Sequence, residues 1–183
     1  MFRRRHLAMI CLSLAIWPLL ARTEDAGRPP PEVKRTVDAF LGHWTLAGTD
    51  TEPTAKGPSK LSAVIDCQSA ALGMAVACHI AADVSGAGRV EASTVIGYSP
   101  DERVVRWMEI SSSGEYHDHR GPWVGNEIQF EPLAYANSGQ KATEYLTIGF
   151  PSPGMMTLNS VTETSDGKSI LVLAGARHKK KAK

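Results

Sequence analysis

Beyond residue 30 the chain shows one apolar stripe of helical period, and everything after it is written in strand-like runs. Val33, Val37, Phe40 and Leu41 recur at i, i+4, i+7 and i+8, the spacing that lines one face of a helix. Pro31 stands where a helix tolerates proline best, in its first turn, so a short helix is expected from Pro31 to near Gly42. No helical period of useful length follows. Short runs separated by turn residues take over: His43–Gly48, Leu61–Cys67, Ala75–Val84, Val90–Tyr98, Arg103–Ser111, Glu115–Arg120, Trp123–Glu131, Thr143–Phe150, Met155–Glu163 and Lys168–Arg177. Gly57-Pro58, Ser85–Gly88, Pro100, Ser112–Gly114, Gly121-Pro122, Pro151–Gly154 and Asp166-Gly167 punctuate them. About ten sequential strands with short connections make a meander, and a meander of this length removes its edges by closing on itself. The expected fold class is mainly β, an antiparallel up-and-down barrel with one short N-terminal helix. An open sheet or a sandwich is the alternative.

The first 21 residues belong to a different pattern. Arg3, Arg4, Arg5 and His6 precede an uncharged apolar run from Leu7 to Leu20, and Ala21 offers a small residue for cleavage. Fourteen residues at about 1.5 Å each span about 21 Å, short of a bilayer core. The segment therefore reads as a signal peptide and not as a stable membrane anchor. The expected organisation is a signal peptide over 1–21, a linker over 22–31, a β-barrel domain over 32–177 and a basic tail over 178–183. The expected location is outside the cytoplasm, periplasmic or secreted.

Removing that segment changes the charge. Without Arg3–Arg5 the chain keeps 17 basic groups against 19 acidic ones, and Arg177, Lys179, Lys180, Lys181 and Lys183 concentrate five of the 17 at the C-terminus. The remaining body carries a net charge of −7, which argues against nucleic acid as a partner. The basic tail reads as a solvated terminus.

Cys67 and Cys78 are the cysteines outside the leader. An oxidising compartment favours their pairing. Each lies in a strand-like run, and a hairpin turning at Ala70–Gly73 faces one with the other. A disulfide is expected. The spacing is not the C-x-x-C of redox-active thiols.

Short motifs carry a family resemblance. Leu41-Gly42-His43-Trp44, after a short helix, resembles the L-x-G-x-W opening of calycin-like barrels. Gly97-Tyr98-Ser99-Pro100-Asp101, Asp166-Gly167-Lys168 and a closing strand ending in Arg177 sit where the domain-of-unknown-function family fifteen-seventy-nine has similar features. Ser99 replaces that family's usual Asp, and Ala71-Leu72-Gly73-Met74 keeps part of its Leu-Gly-Gly. The resemblance covers Glu32 to Arg177 and implies a small calycin-like antiparallel barrel. It implies no catalytic residue.

The densest polar stretch is Glu115-Tyr116-His117-Asp118-His119-Arg120. On a strand Glu115, His117 and His119 share a face, and two imidazoles so spaced can converge on a metal, which makes His117 and His119 the candidate ligands. A two- or four-residue turn at Ser113-Gly114 puts Arg106, Met108 and Ile110 on that face, with Trp107, Glu109, Tyr116 and Asp118 on the other. With the first face inward, Arg106 needs an anionic partner in the lumen. With the second inward, Trp107 and Tyr116 line an aromatic pocket. The plain alternative is cross-strand charge pairing on the exterior.

Three functions follow. The first is a carrier or sensor of a small apolar or amphipathic molecule, its lumen lined by Trp44, Arg106, Trp107, Met108, Tyr116 and His117. The second is a hydrolase or isomerase, with or without a metal, working from Glu109, His117, Asp118 and His119. The third is a filled barrel that binds a protein partner. Gly-x-Ser-x-Gly, Gly-x-Gly-x-x-Gly and phosphate-loop motifs are absent, and no cofactor is implied.

Overall fold

The computed structural model describes residues 29–53, 56–86, 88–137 and 139–178. The expected signal peptide, most of the linker and the lysine-rich tail lie outside the described residues.

Helix α1 runs from Pro31 to Phe40, with proline in its first turn as expected. It buries Val33, Thr36, Val37 and Phe40. Thr36 enters the buried face because its hydroxyl donates to the Glu32 carbonyl at 2.9 Å and accepts the Trp123 indole N–H at 3.0 Å. Leu41, expected on the apolar stripe, falls just past the helix in extended backbone and is partly exposed.

Twelve strands follow: β1 (Gly42–Thr51), β2 (Ser59–Ala70), β3 (Ala75–Val84), β4 (Gly88–Ser99), β5 (Val104–Ser111), β6 (Tyr116–Gly121), β7 (Trp123–Val124), β8 (Glu127–Gln129), β9 (Leu133–Asn137), β10 (Gln140–Gly149), β11 (Met155–Thr164) and β12 (Gly167–His178). The strand expected over Trp123–Glu131 is two. Gly125 takes a left-handed φ of 59° and turns with Asn126, so Val124 pairs back onto Glu127. A further hairpin precedes Thr143: β9 pairs with β10, Asn137 opposite Gln140.

All strands join one antiparallel sheet in the order β6-β5-β4-β3-β2-β1-β12-β11-β10-β8-β7, with β9 beside β10. First and last strands pair along their length, from His43 opposite His178 to Thr51 opposite Ile170. The sheet curls into a nearly closed barrel. At the seam, Glu131 N–H donates to the Arg120 carbonyl at 2.8 Å and Gln129 N–H to the Pro122 carbonyl at 3.2 Å. Gly121 makes the approach possible, since a Cβ there would lie 2.1 Å from the Gln129 carbonyl oxygen.

One end of the interior is filled. The Phe40 ring stands edge-on to Trp107 and Phe150, with centroids at 5.8 and 5.2 Å. Trp44 is wholly buried and donates its indole N–H to the Phe40 carbonyl at 2.7 Å. Arg177 lies over the Trp44 ring at 4.6 Å and donates to the Ala39 carbonyl at 3.1 Å, tying β12 to the helix. Aromatic rings and the helix thus plug this end. Cys67 and Cys78 sit directly opposite each other on β2 and β3 and form a disulfide, both facing the interior. Among the described residues no helix is long and apolar enough to cross a membrane.

Candidate functional site

The interior changes character away from the helix. One inward row crosses the sheet from Cys67 and Cys78 to Thr94 on β4, Glu109 on β5 and His117 on β6. The next runs from Val76 through Ile96 and Trp107 to His119. Glu109, His117 and His119 therefore share the inner wall with Trp107.

This corrects the expected register. Arg106, Met108 and Ile110 do not share a face with the histidines. Ser111 N–H donates to the Glu115 carbonyl at 3.0 Å, leaving a three-residue loop of Ser112, Ser113 and Gly114, with Gly114 at φ 85°. Three-residue hairpin loops end in a left-handed glycine bulge. The odd loop shifts the pairing by one residue against an even one, and a one-residue shift exchanges the faces.

The expected site residues divide accordingly. Trp107 is buried, its indole donating to Glu109 Oε2 at 3.0 Å. Trp44 is buried at the helix-plugged end, in the aromatic core. Met108 and Tyr116 lie on the outer face, where they border an open concavity of about 520 Å³ with Val95 and Ile110. Arg106 is also outside, paired with Glu102 at 2.9 Å and Asp118 at 3.4 Å. Asp118 consequently leaves the expected acid–base group. Exterior cross-strand pairing thus describes Arg106 and Asp118, but not Glu109, His117 and His119.

The residue that completes the inner cluster is Glu144 of β10, which is not among the residues expected from the sequence. Its Oε2 lies 3.3 Å from His117 Nδ1 and 3.4 Å from His119 Nε2. Ser160 of β11 donates its hydroxyl to Glu144 Oε1 at 2.5 Å. Tyr135 of β9 covers His117, ring centroids 4.5 Å apart, and Phe130 lies 5.6 Å from His119. The signal for Glu144 is present in the chain. Ala142, Glu144, Leu146 and Ile148 alternate on one phase of a strand, and all but the glutamate are apolar. A charge on the buried phase has to be satisfied inside.

Burial and proximity set the charge states. Desolvation would raise the Glu144 carboxyl, but His117, His119 and Ser160 together outweigh it and hold the group well below the usual carboxylate range. Contact with Glu144 raises His117 against the opposing effect of burial. Glu109 is pushed up by desolvation, only partly offset by the Trp107 N–H. A carboxyl held down at Glu144, an imidazole held up at His117 and a carboxyl pushed up at Glu109 stand in one small volume. Thr94 Oγ1, His117 Nε2, His119 Nδ1 and Glu144 Oε2 are all buried without a hydrogen-bond partner. Native interiors keep few such atoms.

No family model and no curated protein sequence matches the chain. Among solved structures, an S-type phycobiliprotein lyase from Guillardia theta superposes with a TM-score of 0.54 at 16% identity, over 79% of this chain and 92% of that one. A de novo designed fluorescence-activating β-barrel reaches 0.43 at 16% identity, over 78% and 96%. A redesigned β-barrel bound to DFHBI reaches 0.44 at 14% identity, over 79% and 99%. The likeness to the lyase shows the fold, an antiparallel β-barrel.

Proposed function

We propose that this protein binds a small amphipathic molecule inside its barrel, as a carrier or sensor. One observation carries the reading: four titratable side chains, Glu109, His117, His119 and Glu144, converge inside the barrel with buried polar atoms left unpartnered. A barrel filled only for stability would place aliphatic side chains there, because each unpaired buried polar group costs about 1–3 kcal/mol. The polar part of the ligand would meet the cluster and its apolar part would meet the buried ring of Trp107. The order of the sequence motifs also supports placing the chain with family fifteen-seventy-nine, and the Cys67–Cys78 disulfide supports export.

Native mass spectrometry of the protein purified from its producing cells, repeated after denaturation, tests the reading. Extra mass of organic-molecule size, lost on denaturation, is the expected result. A bare native mass together with no fluorescence enhancement of the apolar dye N-phenyl-1-naphthylamine would overturn it.

The opposed shifts of Glu109 and Glu144 favour one second reading. Environments that push two carboxyls apart are those that divide acid and base roles. On this reading Glu109 is the acid and Glu144, not Asp118, is the partner of the histidines. Recovery of chemically different bound molecules from the wild type and Glu109→Gln would select it over simple carriage.

A further inference from the structure

We propose that His117, His119 and Glu144 form a binding site for one divalent transition-metal ion, with zinc as the fitting representative. The inference stands apart from carriage of an organic ligand.

The donor set comes first. Two imidazoles and one carboxylate, from β6 and β10, present one ligand atom each, all within 4.8 Å of one another. His117 and His119 lie two apart on one strand, so both point inward. Ligand atoms held about 2.0–2.1 Å from a tetrahedral ion are separated from each other by about 3.4 Å. Glu144 Oε2 stands 3.3 Å and 3.4 Å from the two imidazole nitrogens. A small adjustment of the imidazole rings brings the widest pair to the same spacing.

The contacts are not those of a finished ion-pair network. Glu144 Oε2 is buried and has no aligned hydrogen bond, although two imidazole nitrogens are this near. His119 is 3% exposed, and its other nitrogen is also unpartnered. The carboxylate is nevertheless oriented, because Ser160 donates to its second oxygen at 2.5 Å. That is the outer-shell support that metal-binding carboxylates receive.

Chemistry narrows the ion. Nitrogen-rich sets disfavour calcium and magnesium, which take oxygen ligands. Two histidines and one carboxylate leave at least one coordination position free, which distinguishes this site from the closed four-ligand structural type. Glu109 lies directly across the ladder from His117. A bound ion would thus present an exchangeable position to the barrel interior.

The test is calorimetric titration of zinc chloride into the chelator-treated protein. One ion per chain is expected. Glu144→Gln, which keeps the side-chain shape, should weaken binding by at least about 100-fold, and Ser160→Ala by about 10-fold, as for loss of an outer-shell partner. His178→Ala should change nothing; its ring lies 6.2 Å from that of His43 on the outer surface, the place where adventitious zinc would sit. Histidine ring nitrogen-15 spectra should show the ion on His117 Nδ1 and His119 Nε2. Absence of stoichiometric binding, unchanged binding in Glu144→Gln, or loss of binding in His178→Ala would each overturn the proposal. A protein that carries no organic molecule but binds zinc in this way would refute the carrier reading and leave this one standing.

Discussion

Glu144 shows how much one residue decides. Its carboxylate lies between two imidazoles in a half-dry interior, and the charge states of the three are set together. In the metal-free protein this gives a pH signature. Glu144 is held below its ordinary value near 4.5, so its contribution to stability is present above that value and is lost as pH falls through the lowered one. His117 is raised above its ordinary 6.5, so its contribution is complete below 6.5 and is lost as pH rises through the raised value. His119, Glu109, Glu115 and Tyr135 are the other groups acting on this pair. Urea denaturation across pH should therefore show stability lost as pH falls below about 4.5, through Glu144, and lost again as pH rises above 4.5, first as Glu109 ionises against its burial and then as His117 gives up its proton. Glu144→Ala should lower stability near pH 6 by about 3 kcal/mol, the usual cost of stranding the partner of a buried pair. A flat profile would show that the pair does not couple to folding. A second residue, Leu72, sits at the β2–β3 turn with φ 55° and a fully exposed side chain. A left-handed conformation costs a branched residue about 1–2 kcal/mol and asparagine less, so Leu72→Asn should raise the denaturation midpoint by the equivalent of about 1 kcal/mol. No gain would mean that the hydrophobic tip makes a contact in solution.

At the scale of the element, the β5–β6 hairpin holds the site together. Its three-residue loop decides that His117 faces Glu109 and not Ile110. Gly114 supplies the left-handed residue, at φ 85°, with open space where a Cβ would go. Gly114→Ala should therefore cost about 1 kcal/mol from backbone strain alone, measured by urea denaturation, with the register retained. A much larger loss would mean that the loop also competes with another register. The same hairpin shows what was legible beforehand. Residue types give both strands, their turn and the H-x-H face. They do not give the pairing, because Ser112-Ser113-Gly114 is compatible with loops of either parity and each face mixes charge with apolar bulk, so the alternation that normally fixes register is weak there. The β7–β8 turn is hidden for a related reason: Gly125-Asn126 interrupts a run whose flanks both look like strand.

At the scale of the molecule, closure rests on β1 pairing β12, on the seam at Gly121 and on the covalent link between β2 and β3. The disulfide bridges residues 11 apart in sequence, so the chain-entropy relation assigns it about 3 kcal/mol. Replacing both cysteines by alanine should lower stability by up to that amount without opening the barrel, since the two strands remain paired along ten residue positions. Circular dichroism and thermal unfolding check both halves of the expectation; a loss of β signal would assign the bridge a role in folding itself. The interior grades from an aromatic plug under α1 to a polar cluster across the seam. That gradient lets the aromatic end supply the apolar burial that the polar rows do not.

The sequence by itself determined the elements: one proline-started helix, a long antiparallel meander, a facing pair of cysteines and a histidine pair on one strand face. These follow from local periodicity, turn chemistry and short separations along the chain, all of which act between near neighbours. Only the tertiary structure decided which face of that strand is inside, that Arg106, Met108, Asp118 and Tyr116 are outside, and that Glu144 arrives from β10 to complete the site. The physical reason is that an inward face is defined by closure of the whole sheet. One loop's parity and one glycine's lack of a side chain at the seam place residues 25 or more positions apart against each other.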